Sequence, residues 1–106
     1  MAWTLLVLAG VLEIAFACFL KASAGFTQPW PALLTVVTGL SSVVLLASAL
    51  RTLPVGTGYA VWTGIGAAGT AILGIVMLGE SAAPSRMLCV GLILAGVIGL
   101  KLVSTG

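Results

Sequence analysis

Residues 3–20 read WTLLVLAGVLEIAFACFL, an apolar run whose single charge is Glu13. At about 1.5 Å per residue, Glu13 lies roughly 15 Å into a helix drawn through this run. That depth is near the middle of a hydrocarbon layer about 30 Å thick. Placing an acid there costs roughly 2.5–3.5 kcal/mol on insertion scales, and more if it stays ionised without a partner. A helix serving only as an anchor could carry leucine instead. The run therefore reads as a membrane span that holds a functional acid, one that binds protons and a cationic substrate by turns. The plainer reading of Glu13 is a protonated structural glutamate, hydrogen-bonded to a neighbouring helix.

The rest of the chain has the same character. Of its 106 residues, 61 % are hydrophobic and 6 % charged, too little polar surface to cover a water-soluble domain of this length. A second apolar run covers about residues 32–50, a third 55–78 and a fourth 86–103. Between the first two, Gly25, Pro29 and Pro31 read as helix breakers. Each run is long enough to cross a bilayer, and a helix satisfies the backbone there. The expected fold is an all-α integral membrane protein of four spans, forming one domain over residues 1–106. The N-terminal run has no basic segment before it and carries an acid, so it reads as a retained span and not as a secretory signal.

Composition also excludes functions. A net charge of +2, scattered along the chain, offers no nucleic-acid patch. There is no histidine, and the two cysteines, Cys18 and Cys89, both sit inside apolar runs, where they read as packing residues. No metal site, no cofactor and no nucleophile–base pair is expected, so an enzyme is the weakest reading.

Charge placement bears on topology. With the N-terminus on one side, Arg51 and Lys101 fall toward that side and Lys21 and Arg86 on the other. Orientation normally follows the excess of lysine and arginine. Two against two favours neither orientation, as expected of a chain inserted both ways round; short loops that simply carry few charges would look the same. Four helices enclose little space, which implies at least a dimer. In the fourth run Gly91, Ala95 and Gly99 recur every four residues on one face, a small-residue stripe suited to close helix approach and a candidate dimer seam.

Several residues could line a site around Glu13. Its helical neighbours Ala9, Gly10 and Ala17 are small and leave room, while Phe16 offers an aromatic wall. In the third run Tyr59, Trp62, Thr63 and Gly66 share one helix face. Tyrosine and tryptophan present π faces to a cation and an OH or NH to a carboxylate. Tyr59 lies near the start of its run and could equally belong to an interfacial belt. Of the adjacent Ser41 and Ser42, at most one faces the interior with Glu13, and periodicity does not choose between them. Lys101 is close enough to the end of its run to reach the interface.

Taken together, AGVLEI around Glu13, LKASAGFT after it, LPVGTGYAVWTGIG, LGES and the closing AGVIGLK resemble the small multidrug resistance transporters. The likeness spans nearly the whole chain and is strongest to the guanidinium-exporting branch. It implies an antiparallel, dual-topology homodimer in the inner membrane of a bacterium, exchanging protons for organic cations. It further implies that Glu13 from both subunits forms one shared site lined by Gly10, Ser42, Tyr59 and Trp62, and that Ser42 is preferred over Ser41. Lys101 matches a lysine that marks the guanidinium branch. One position departs: that branch typically has tryptophan where this chain has Phe16. Phenylalanine removes a hydrogen-bond donor near the carboxylate, and with it some of the selection for bare guanidinium. A multidrug exporter of quaternary ammonium ions is the nearest alternative, and a non-transporting helper subunit a more distant one.

Overall fold

A computed structural model describes residues 1–103. The residues described form four α-helices: α1 (Ala2–Ala22), α2 (Pro29–Ala49), α3 (Val55–Leu78) and α4 (Pro84–Val103). All four are long and apolar enough to cross a membrane. Twenty-one residues make about 31 Å of helix, which matches the hydrocarbon layer. The proposed domain end at Gly106 takes in residues 104–106, which lie outside the described residues.

The second helix begins earlier than the sequence suggested. Pro29 and Pro31 do not break it but sit in its first turn, after an extended Gln28. Proline lacks only an N–H that would have no partner at that position, and it disfavours helical geometry in the residue before it. Pro84 opens α4 in the same way.

Between α1 and α2 the chain turns through three consecutive left-handed residues, Ala24, Gly25 and Phe26. Buried Ser23 holds this turn. Its hydroxyl donates to the Leu20 carbonyl at 2.7 Å and accepts from the Phe26 N–H at 3.1 Å. Its own carbonyl accepts from the N–H groups of Thr27 and Gln28. At the far end of α3, left-handed Gly79 closes the helix. Arg86 then donates to the Glu80 carboxylate at 2.6 Å and to the Ser81 carbonyl at 3.1 Å. That guanidinium holds the Glu80 carboxyl below its usual range.

The helices do not close into a bundle. α1 packs on both α2 and α3, α2 and α3 barely meet, and α4 packs along α3, reaching α1 only through a side-chain contact at its end. The result is a slab only 16 Å thick between Cα atoms. Its core (Leu6, Ala9, Leu46, Ala49, Leu53 and Val61) lies where the start of α1 meets the end of α2 and the start of α3. That half of the slab is filled with apolar side chains. At its edge the Lys101 ammonium sits 4.7 Å from the centre of the Trp3 ring, tying the end of α4 to the start of α1.

Candidate functional site

Glu13 stands where the packed core ends. Two open grooves begin at its side chain, one on each flank of α1. The α1–α2 groove, about 460 Å³, is lined by Glu13, Phe16, Phe26, Thr35, Gly39 and Trp62 with apolar residues of α2. The α1–α3 groove, about 450 Å³, is lined by Glu13, Phe16 and Ala17 with Thr63, Gly66 and Thr70. Both grooves are open; neither is enclosed by this chain.

Two glycines set how the side chains of α1 lie. A Cβ on Gly66 would come within 2.5 Å of the Glu13 Cγ, so the glutamate stem rests directly on the α3 backbone. On the other flank, a Cβ on Gly39 would come within 2.9 Å of the Phe16 ring, which therefore lies on the α2 backbone. Acid and ring lean to opposite sides.

Behind Glu13 a hydrogen-bond relay joins three helices. The Trp62 indole N–H donates to the Ser42 hydroxyl at 2.9 Å, and that hydroxyl donates to the Ala9 carbonyl at 2.6 Å. Ser42 is buried and Ser41 exposed, so Ser42 is the one that faces the interior, although it borders neither groove. A buried hydroxyl with both functions occupied is well satisfied. The Glu13 carboxylate itself has no hydrogen-bond or ion-pair partner among the described residues.

The remaining sequence candidates are placed unevenly. Trp62 lines the α1–α2 groove. Tyr59 is 54 % exposed and borders neither groove; its ring lies 5.3 Å from that of Trp62, tilted by 55°. Thr63 borders the α1–α3 groove, but its hydroxyl donates to the Tyr59 and Ala60 carbonyls of its own helix. Gly10 is buried beneath Ile65, which a Cβ would meet at 2.6 Å; it permits close approach of α3 and borders neither groove. Lys101 is engaged with Trp3, near the opposite end of α1 from the grooves. Among the described residues a Cβ on Gly91 or Gly99 would meet nothing within 4 Å, and Ala95 is exposed between them.

Thr35, Gly39, Val43 and Phe26 were not among the expected lining residues. Thr35, Gly39 and Val43 share one face of α2 at helical spacing, a signal the sequence does contain. Phe26 reaches the groove only because the left-handed turn folds back, which no periodicity reveals.

Residues 1–93 match the family described as Small Multidrug Resistance protein. The chain belongs to that family. The small multidrug resistance relatives include a protein named guanidinium exporter from Yersinia pseudotuberculosis, 62 % identical over 98 % of this chain and all of the relative. Proteins of the same name from Citrobacter freundii and from Salmonella typhimurium strain LT2 are 56 % and 54 % identical, each over 96 % of this chain and 97 % of the relative. Membership of the small multidrug resistance family agrees with four membrane-crossing helices in one multi-pass chain.

Proposed function

We propose that this protein exports guanidinium, or small substituted guanidinium ions, from the bacterial cytoplasm across the inner membrane in exchange for protons. The observation that carries the reading is the Glu13 carboxylate. It is the only acid inside any of the four spans, it has no partner among the described residues, and it stands at the head of two open grooves. The names carried by relatives at 54–62 % identity support guanidinium as the cation.

The chemistry follows from the ion and the acid. Guanidinium is a planar fork of N–H donors that matches carboxylate oxygens in pairs. A second subunit, inserted the opposite way round, would close the open grooves and bring a second Glu13 opposite the first. Two such carboxylates repel when both are ionised, so either a cation or protons must sit between them. Protons and cation then displace each other. Protons entering from one side release the cation there, and the exchange runs down the proton gradient while the cation runs up its own. Trp62 and Phe16 would wall the site, Ser42 would hold Trp62 in place, and Tyr59 and Thr63 would contribute from α3. All four spans would act as one domain.

Protein reconstituted into liposomes with an internal pH dye tests this directly. An outward guanidinium gradient should drive proton entry, and an imposed pH gradient should drive guanidinium uphill. Guanidinium movement without any pH change would sink the exchange mechanism. The aromatic groove walls formed by Phe16, Phe26 and Trp62 also suit quaternary ammonium ions, which cannot donate hydrogen bonds. Tetraalkylammonium ions that move protons while guanidinium does not would decide for that second reading.

A further inference from the structure

The α1–α2 groove is larger than a four-heavy-atom ion requires. It runs from Glu13 past Val36, Leu40 and Val43, walls that offer an ion only apolar contact. Beside the acid the groove is bordered by the Phe16 ring. The ring lies against Gly39 of α2, where a built Cβ would stand 2.9 Å from its Cδ1 and 3.0 Å from its Cε1. Those separations are below van der Waals contact for carbon, so any side chain at position 39 would displace the ring or part the helices. Phe16 borders both grooves, so a displaced ring narrows one of them. Gly39 itself presents no atom that could attract a cation.

We infer that Gly39 is a positioning residue for substrate size: by seating the Phe16 ring on the α2 backbone it determines how bulky an apolar substituent a bound cation can carry beside Glu13. The inference rests on the cation-site reading above, and it names the favoured class as guanidinium ions bearing a flat or branched apolar group. The groove supplies the space, Glu13 the counter-charge, and the pair Phe16–Gly39 the width.

The test is a double-mutant cycle on the reconstituted full chain, read as the ratio of phenylguanidinium to guanidinium affinity. Gly39→Ala should lower that ratio about tenfold, the low end of what one misplaced methyl does in an apolar pocket. In a Phe16→Ala background the same substitution should change the ratio less than about twofold. An equal drop in both backgrounds, or a parallel loss of both ions, would overturn the inference. Phe16→Leu, which leaves Gly39 untouched, should raise the ratio; an unchanged ratio would count against it equally.

A second readout needs no transported ion. Reaction of the Glu13 carboxyl with dicyclohexylcarbodiimide, relative to the slimmer diisopropylcarbodiimide, should fall in Gly39→Ala and recover in Gly39→Ala/Phe16→Ala. If the wild type bound no guanidinium ion, the export reading would fall and this reactivity ratio would still judge the groove. An unaltered reactivity ratio in Gly39→Ala would overturn the inference by itself.

Discussion

α1 and α4 are both apolar helices rich in small residues, yet they live in different surroundings. Around α1 every glycine contact is filled: Ile65 covers Gly10, Glu13 rests on Gly66, Phe16 on Gly39, and Ile14 against Gly69. Along α4 a Cβ on Gly91, Gly96 or Gly99 would meet no atom of the described residues within 4 Å, and among those residues Val90 is the helix's one buried position. Gly10 of α1 is thus a used contact, whereas the glycines that α4 itself carries are unused, although α4 does seat Val97 against Gly64 of α3. Small residues in a membrane helix drive packing only where a neighbour fits them. On α1 that neighbour belongs to the same chain; on α4 the proposed neighbour is the second subunit.

The strongest way to break this contrast is at its polar centre. Glu13→Gln keeps the shape that rests on Gly66 and removes the titrating charge. Proton-driven cation exchange should fall to the level of empty liposomes, with the helical content of the protein intact. Surviving uphill transport would refute the shared-carboxylate mechanism.

Next in size is the open face of α4. Replacing Gly91 and Gly99 together by leucine should leave the protomer folded and weaken the dimer at least about tenfold, since bulky residues prevent close helix approach. Light scattering in detergent reads the outcome, and an undiminished dimer would remove α4 from the seam.

A matched pair of substitutions then compares the two helices directly. Gly10→Ala forces a methyl into Ile65 and should destabilise the protein by about 1–3 kcal/mol, as overpacking does. Gly96→Ala meets open space and should be neutral, or stabilising by up to about 1 kcal/mol through helix propensity. Melting temperatures in one detergent suffice; equal losses would erase the contrast.

The smallest effect lies where α3 hands over to α4. The Glu80 carboxyl is held below its usual range by the hydrogen bond from Arg86. A lowered carboxylate stabilises the folded form fully above its ordinary value, about 4.3, and that contribution disappears as pH falls through the lowered value. Glu80→Gln should therefore melt slightly below the wild type at neutral pH and converge with it in acid. The pair is exposed, so added salt should shrink the difference too. A gap that widened in acid would reverse the assignment.

Much of this protein is written in one dimension. Run length and charge spacing are local, and they are enough for four spans and for the expected depth of Glu13, because a bilayer constrains each helix separately; the family is legible in short strings such as LPVGTGYAVWTGIG. Even the misread Pro29 and Pro31 involve a local rule, the tolerance of proline in a first helical turn. What periodicity leaves open depends on which helices touch. Burial of Ser42 rather than Ser41, the Trp62–Ser42–Ala9 relay, and the seats of Glu13 on Gly66 and Phe16 on Gly39 each join residues 20 to more than 50 positions apart. Close approach of two backbones is a property of a pair of helices, and neither helix records it alone. Tertiary packing therefore decided the shape of the grooves, while the sequence by itself had already decided that an acid would stand at their head.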